Sequence, residues 1–142
     1  MRRIGITGGI GSGKSVVSRL LRIMGYSVYD TDSEAKRLME SSLEVVQKLS
    51  ECFGRDIYHN GRLNRGLLSS RVFGKSDKIV LLNSIVHPVV RFDFYRWSES
   101  LNEEICFVES AILYESRFDE LVDEVWTVTA PEELRISRVR QR

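Results

Sequence analysis

A segment near the start of the chain has the composition and spacing of a phosphate-binding loop. Residues 4–15 read IGITGGIGSGKS, and Gly8, Gly13, Lys14 and Ser15 satisfy the pattern G-x-x-x-x-G-K-[ST]. Because glycine lacks a Cβ atom, the backbone can turn tightly and direct its N–H groups at phosphate oxygens. Lys14 supplies a positive charge for the β- and γ-phosphates, and the Ser15 hydroxyl is placed to bind Mg²⁺. The pattern predicts that the chain binds a nucleoside triphosphate.

The residues around this loop predict a strand, the loop and then a helix. Residues 3–7 are mostly apolar, and an apolar helical stripe follows Ser15 and ends at Gly25. The helix begins near Gly13, so its unpaired N–H groups and the positive end of its dipole face the same anion. We expect the phosphates of the nucleotide to bind along Gly9, Ile10, Gly11, Ser12, Gly13, Lys14, Ser15 and Val16.

Two aspartates follow the second predicted strand. That strand covers residues 26–29, and Asp30 and Asp32 come directly after it. In open parallel sheets, ligands bind beyond the carboxyl ends of the strands, which is also the edge that carries the loop. One aspartate would accept a proton from an attacking hydroxyl, and the other would help to place metal, water or substrate. Capping of the next helix by Asp30, Asp32 or Ser33 is the alternative interpretation.

A glutamate ends the next strand. Residues 104–109 form an apolar run that closes on Glu109. At this position a P-loop enzyme carries the carboxylate that holds Mg²⁺ or its water shell. A solvated strand end is the alternative.

The last helix carries several arginines. We predict that it opens at residues 130–133, with Pro131 in its first turn, and continues to the end of the chain. Arg135, Arg138 and Arg142 are spaced three and four positions apart, so they share one face. Arginines that face phosphate would neutralise the charge developing on a transferred phosphoryl group. An ordinary solvated basic face is the alternative.

The elements that must position these residues alternate between strand and helix. Four short strands separated by helices predict an α/β fold with a parallel sheet. A long helical stretch from 33 to 101 interrupts the alternation, with residues 54–64 interpreted as mostly turn. Pro88 is expected to bend or restart the last helix of this stretch.

Composition excludes several classes of function. The chain has 142 residues, with 21 Lys and Arg against 20 Asp and Glu, which predicts one domain and no nucleic-acid footprint. Cys52 and Cys106 are isolated, so we expect reduced thiols rather than a zinc site or a disulfide. No apolar run approaches a membrane span, and the first strand leaves no room for a signal peptide. We therefore expect a cytoplasmic protein without membrane partners.

The ordered set of motifs resembles the dephospho-CoA kinase family. The resemblance runs through most of the chain, and Ala111 stands where the family usually has proline. The matching segments are TGGIGSGKS at 7–15, DTD at 30–32 with Ala35 and Lys36, NGRLNR at 60–65, LNSIVHP at 82–88 and AILYE at 111–115.

The resemblance implies a P-loop NTPase fold of the nucleoside monophosphate kinase type. Such a fold is a three-layer α/β/α parallel sheet with an inserted helical substrate-binding subdomain. The implied core covers about 1–32 and 103–134, the insert about 33–102, and the start of a lid about 135–142.

The resemblance also implies a reaction, in which ATP phosphorylates the ribose 3′-hydroxyl of dephospho-CoA to give CoA and ADP. Asp32 matches the catalytic acid of the family, and Lys14, Arg138 and Arg142 complete the implied catalytic set. Mg²⁺ would lie near Ser15 and Glu109. The residues implied in binding dephospho-CoA are Thr7, Asp30, Asp32, Arg65, His87 and Glu115.

Members of the family that is resembled continue beyond the position of Arg142, through the rest of the lid, a further helix and a last strand. If this chain is truncated, water exclusion and transition-state stabilisation would suffer, and activity would be weak or absent. Two other functions remain open: another P-loop kinase of small metabolites or nucleotides, or an ATP-binding module without activity. For the oligomeric state, we expect a monomer or a weak homo-oligomer.

Overall fold

Strands and helices alternate at both ends of the chain, and its middle is mostly helical. The structure is a computed structural model that describes residues 1–9 and 11–141. The elements, in chain order, are β1 (Arg2–Thr7), α1 (Lys14–Ile23), β2 (Val28–Asp30), α2 (Thr31–Ser41), α3 (Leu43–Phe53), β3 (Tyr58–His59), β4 (Arg62–Leu63), α4 (Arg65–Val72), α5 (Ser76–Ser100), β5 (Ile105–Glu109), β6 (Glu124–Thr127) and α6 (Glu132–Arg140), with 3₁₀ turns at Arg55–Ile57 and Phe118–Leu121.

The main sheet of the described residues has four parallel strands in the order β2–β5–β1–β6. β1 and β5 form its centre, and their residues Ile4, Ile6, Phe107 and Val108 are buried. Central strands of a parallel sheet are covered on both faces, which is why these segments are nearly continuous apolar runs. The predicted α/β fold with a parallel sheet is confirmed.

The chain divides into two compact units. The first contains Met1–Thr31 together with the chain from Asp93 onward, and the second is Asp32–Phe92. The first unit holds the whole parallel sheet together with α1 and α6, and its core includes Ile4, Ile6, Leu21 and Phe107.

α1 ends as its sequence predicts. Gly25 follows the helix with a φ of 97°, in the left-handed region that glycine enters without strain. Its N–H donates to the carbonyl of Arg22, and the N–H of Tyr26 donates to the carbonyl of Leu21. These two bonds are the Schellman pattern of a helix C-terminus, and they turn the chain from α1 into β2.

The second unit contains a short β-hairpin. Residues 54–64, interpreted as mostly turn, contain a 3₁₀ turn at Arg55–Ile57 and also the strands β3 and β4, which pair antiparallel and were not predicted. Asn60 and Gly61 connect them with φ angles of 51° and 78°. Two consecutive positive φ values are the mark of a type I′ hairpin turn, for which Asn-Gly is a strong sequence signal.

Two side chains join this hairpin to α2 within the second unit. The Tyr58 hydroxyl donates to the carbonyl of Met39 over 2.6 Å, and Glu40 Oε1 accepts the N–H of Leu63 over 3.2 Å. Burial, with the nearby carboxylate of Glu40, raises the pKa of Tyr58 to about 12, so the phenol remains a hydrogen-bond donor at neutral pH.

α5 continues through Pro88, so of the two expected outcomes, a bend or a restart, the restart was wrong. A proline inside a helix costs about 3 kcal/mol because it removes one hydrogen bond and crowds the preceding turn. Ile85, Val86 and Val90 are buried on either side of it, and each such side chain contributes about 1.5–3 kcal/mol. Tertiary burial therefore outweighs the local penalty.

Two smaller expectations concern the last helix and the cysteines. Pro131 occupies the N-cap of α6 rather than its first turn. Cys52 and Cys106 are both free thiols, as expected, the first exposed and the second buried. None of the helices in the described part of the chain combines the length and hydrophobicity needed to cross a bilayer.

Candidate active site

The loop between β1 and α1 curls back on itself, as a phosphate cradle must. Gly11 and Gly13 have φ angles of 76° and 99°, which glycine adopts without strain. The N–H of Ser12 donates to the carbonyl of Gly9 over 3.1 Å, and the N–H of Val16 donates to the carbonyl of Gly13 over 3.0 Å. α1 starts at Lys14, so its unpaired N–H groups open into the concave side of the loop.

Space as well as backbone conformation requires glycine in this loop. A Cβ atom on Gly11 would lie 2.6 Å from the carbonyl oxygen of Arg135. One on Gly8 would lie 2.5 Å from Ser12 Oγ and 2.6 Å from the carbonyl oxygen of Val128. The loop therefore packs directly against α6 and against the end of β6.

A cavity of about 370 Å³ opens at the loop. This volume is within the range of about 300–1,000 Å³ that small-molecule sites occupy. Its lining consists of Gly11, Ser12, Gly13, Lys14, Ser15, Val16, Arg138 and Gln141. Six of these are predicted phosphate-binding residues. Of the other two predicted positions, Gly9 belongs to the same loop, and Ile10 lies outside the described residues.

Ser15 and Glu109 meet at this loop. The Ser15 hydroxyl donates to Glu109 Oε1 over 3.3 Å. Glu109 ends β5 and is only 7% exposed, so the alternative of a solvated strand end was wrong. Mg²⁺ in nucleotide sites takes one or two protein oxygens and completes its shell with phosphates and water. A hydroxyl beside a carboxylate at a phosphate loop fits this requirement.

The end of β2 lies beside Glu109. Asp30 pairs in register with Glu109, and the hydroxyl of Thr31 donates to the carbonyl of Glu109 over 2.8 Å. α2 begins at Thr31, which places Asp32 and Ser33 inside its first turn. This excludes Asp32 and Ser33 as the N-cap, whereas Asp30, the third candidate, stands directly before the helix. Asp32 is exposed in that first turn, where the helix dipole favours a negative charge.

α6 places two of its arginines against the loop. Arg138 Nη1 donates to the carbonyl of Gly11 over 2.9 Å. Arg135 Nε donates to the carbonyl of Ala130, and its Nη1 is the atom that a Cβ on Gly9 would meet at 3.3 Å. A freely solvated basic face was thus the wrong alternative for Arg135 and Arg138. Arg142 lies outside the described residues.

The remaining predicted site residues are distributed over both units. In the first unit, Thr7 ends β1 and its carbonyl accepts the N–H of Val128, whereas Glu115 is exposed in the turn after β5. In the second unit, Arg65 is the exposed first residue of α4 and His87 is half-buried in α5. Burial, and then the charge of Arg91, lowers the pKa of His87.

Two contributors to this site were missed in the sequence. Gln141 lines the cavity, and its spacing of three residues from Arg138 on one helix face was a usable signal. Thr31 anchors the end of β2 to β5, and its hydrogen bond spans 78 residues of chain. Local sequence patterns carry no signal for such a contact.

A parallel sheet, a glycine-rich loop that opens a helix at Lys14, and a strand-end carboxylate beside Ser15 together define a P-loop NTPase fold. The family model for dephospho-CoA kinase matches residues 2–142. The chain belongs to the dephospho-CoA kinase family and is a kinase.

Curated relatives agree with this assignment. A dephospho-CoA kinase of Porphyromonas gingivalis is 47% identical over 142 residues, which cover 100% of this chain and 70% of the relative. One of Bacteroides fragilis is 43% identical over 141 residues, covering 99% of this chain and 69% of the relative. The chain thus spans about 70% of the length of these relatives.

Solved structures share the fold. A Thermus thermophilus crystal structure matches with a TM-score of 0.82 and 36% identity, over 99% of this chain and 72% of the other. A dephospho-CoA kinase from Campylobacter jejuni matches with a TM-score of 0.74 and 23% identity, over 100% of this chain and 73% of the other. The second likeness concerns the fold alone.

Proposed function

We propose that this chain transfers the γ-phosphoryl group of ATP to the ribose 3′-hydroxyl of dephospho-CoA, giving CoA and ADP in the final step of coenzyme A biosynthesis. The observation that carries the proposal is the Ser15–Glu109 pair at the mouth of a phosphate cradle, in a chain of the dephospho-CoA kinase family. Such a pair would serve a metal-bound triphosphate, which is the phosphoryl donor that this reaction needs.

In this proposal the loop holds the phosphates of ATP. Backbone N–H groups of this loop that have no partner within it would bind the phosphate oxygens, and Lys14 would neutralise charge on the β- and γ-phosphates. Ser15 and Glu109 would hold Mg²⁺, either directly or through water. The ion, when bound, neutralises negative charge that develops on the transferred group.

Asp32 is the proposed general base. It follows Thr31, which is anchored to the carbonyl of Glu109, and it lies two residues beyond the carboxyl end of β2. Its carboxylate would accept a hydrogen bond from the 3′-hydroxyl and then take the proton as the new O–P bond forms.

Arg138 and Arg142 are the proposed electrostatic stabilisers of the transition state. The guanidinium of Arg138 already lies on the loop, where it bonds the Gly11 carbonyl and lines the cavity. A fixed positive charge at this place would act on the γ-phosphoryl oxygens as charge moves during transfer. Both arginines would belong to the start of a lid, over about 135–142.

Dephospho-CoA would be bound mainly by the insert of about 33–102, through Arg65 and His87, with contributions from Thr7, Asp30 and Glu115 of the core. Burial, and then the charge of Arg91, lowers the pKa of His87 and so favours the neutral imidazole. A neutral imidazole has one donor and one acceptor, so His87 would hydrogen-bond the substrate rather than form an ion pair with it.

We infer that the protein works in the cytoplasm on small molecules, as a monomer or weak homo-oligomer without nucleic-acid or membrane partners. The balance of 21 basic and 20 acidic residues supports the part of this inference that concerns nucleic acid, because nucleic-acid binding usually requires a marked basic excess.

An acceptor panel tests the proposed function. The purified chain is incubated with Mg-ATP and each of dephospho-CoA, a nucleoside, a nucleoside monophosphate and shikimate, and ADP and phosphorylated product are measured. We expect product with dephospho-CoA alone. Transfer to another acceptor would instead identify a different P-loop kinase, and ATP binding without transfer to any acceptor would identify an inactive module.

A further inference from the structure

A hydrogen bond connects Tyr29 and Asp93, two residues of the first unit that lie at or near its boundaries in the sequence. The chain leaves the first unit after Thr31 and re-enters it at Asp93. Tyr29 lies two residues before the exit. Its hydroxyl donates to Asp93 Oδ2 over 2.7 Å, and both residues belong to the first unit. The bond spans 64 positions of sequence, and its acceptor is a carboxylate, which makes it stronger than a neutral hydrogen bond.

The ring of Tyr29 is fixed on several sides. The residue is only 2% exposed, and its backbone pairs with Val108 in the parallel sheet. The ring meets Phe94 edge-on and Trp97 at a tilt, each with a centroid distance of 5.3 Å. A ring held in this way leaves its hydroxyl little freedom to move, so the position of Asp93 is tied to that of β2.

The segment after Tyr29 is held at the active site. Asp30 pairs with Glu109 in register, and the Thr31 hydroxyl bonds the Glu109 carbonyl. The Glu109 side chain accepts the hydrogen bond from Ser15. Residues 29–31 therefore connect Asp93 to the proposed metal-binding pair, and the next residue along the chain is Asp32.

We propose that Tyr29 and Asp93 are positioning residues for phosphoryl transfer. Their hydrogen bond fixes the direction in which the chain leaves β2, and this places the carboxylate of Asp32 for the acceptor hydroxyl. The inference rests on the proposed function, since it concerns Asp32, the general base of that reaction. Phosphoryl transfer is sensitive to such placement, because a misplacement of about 1 Å lowers an enzymatic rate about 100-fold.

Removal of the single hydroxyl tests the proposal. Tyr29→Phe keeps the ring contacts, and we expect kcat to fall about tenfold while KM for ATP stays within about twofold. Asp93→Ala removes the acceptor of this bond and should lower kcat by at least as much as Tyr29→Phe. Asp93→Asn keeps an acceptor oxygen and should recover most of kcat.

Tyr26→Phe is the matched control. Tyr26 belongs to the same unit, and its ring packs edge-on against Phe107 at 5.5 Å. Loss of its hydroxyl should leave kcat unchanged. An equal loss of kcat in Tyr26→Phe, or failure of Asp93→Asn to recover activity, would overturn the assignment.

Hydrogen–deuterium exchange supplies a readout that does not depend on activity. Backbone amides of residues 31–36 should exchange faster in Tyr29→Phe than in the wild type and Tyr26→Phe, while amides of α1 stay unchanged. Wild-type exchange at 31–36 in Tyr29→Phe would overturn the proposal whatever the kinetics. If the wild-type chain transfers no phosphoryl group, the proposed function fails, and the exchange rates still decide whether this bond fixes the segment.

Discussion

The hydroxyl of Ser15 and the carboxylate of Glu109 lie 3.3 Å apart, although 94 positions of sequence separate them. Ser15 comes from the first turn of α1 and Glu109 from the end of β5, so the central strand pair of the sheet brings them together. The pair joins the phosphate loop to a buried negative charge. This relationship makes the phosphate loop a candidate site for a metal-bound nucleotide.

Neutralising Glu109 should weaken metal use rather than folding. Glu109→Gln keeps the size of the side chain and an oxygen that accepts the Ser15 hydrogen bond, but it removes the charge. We expect the Mg²⁺ concentration for half-maximal activity to rise about tenfold or more. A Mg²⁺ titration of the kinase assay measures this shift. Glu104→Gln changes an exposed glutamate of the same unit, before the opposite end of β5, and should leave the titration unchanged.

Asp32→Asn should reduce turnover much more than nucleotide affinity. An amide cannot accept the proton of the 3′-hydroxyl, and general-base removal costs about 100-fold or more in kcat. ATP binding, measured by equilibrium titration, should stay near the wild-type value. Asp77→Asn is the matched control, because Asp77 is also an exposed acid in the first turn of a helix. Near-normal kcat in Asp32→Asn would show that the assigned role is wrong.

Gly11→Ala should disrupt the phosphate cradle. The new Cβ would meet the Arg135 carbonyl oxygen at 2.6 Å, at a φ of 76° that alanine adopts only with strain. We expect ATP affinity to fall about tenfold or more. Gly74 has a similar φ of 71°, but a Cβ atom there would meet no heavy atom of the described residues within 4 Å. Gly74→Ala therefore isolates the backbone strain, and it should leave ATP affinity unchanged.

Arg138→Ala should slow transfer. Loss of a preorganised positive charge at the loop is expected to lower kcat about 100-fold. Loss of the bond to the Gly11 carbonyl should also raise KM for ATP, because the loop loses a contact that holds its shape. Arg140→Ala removes an exposed arginine of the same helix and serves as the control. Equal kinetics in the two variants would contradict the role of Arg138.

Stability should depend on pH through His87. Burial lowers the pKa of this imidazole from its ordinary value of 6.5, so the folded state binds fewer protons than the unfolded chain. The contribution of the neutral imidazole to the free energy of unfolding is therefore fully present above pH 6.5. It is lost as the pH falls through the lower pKa that His87 has in the folded state. Thermal unfolding at pH 7.5 and 5.5 should show a smaller acid loss in His87→Gln than in wild type. His59→Gln, at an exposed histidine, should retain the wild-type loss.

Features set by neighbouring residues were predictable from the sequence. The spacing of Gly8, Gly13, Lys14 and Ser15 identified the phosphate loop, and Gly25 marked the end of α1. These features depend on backbone conformations that residue type controls directly. The Asn60-Gly61 hairpin is also a feature of neighbouring residues, because Asn-Gly is a strong sequence signal for a hairpin turn. The sequence-based interpretation included the turn but not the two strands.

Other features depended on residues far apart in the chain. Pro88 argued against a continuous α5, and only the burial of neighbouring side chains outweighed that local preference. Asp32 lies inside α2, directly after Thr31. The hydroxyl of Thr31 donates to the carbonyl of Glu109, a contact across 78 positions of sequence. Local propensity is a weak guide when tertiary packing opposes it.

By itself, the sequence determined the phosphate loop, the four strands of the main sheet with the helical stretch between the second and the third, and the chemical types of the candidate site residues. Tertiary structure alone decided which of them meet: Ser15 with Glu109, Arg138 with Gly11, and Tyr29 with Asp93. The physical reason is that spacing along the chain sets backbone conformation within a few residues, whereas contacts across 64 to 127 positions depend on sheet register and packing.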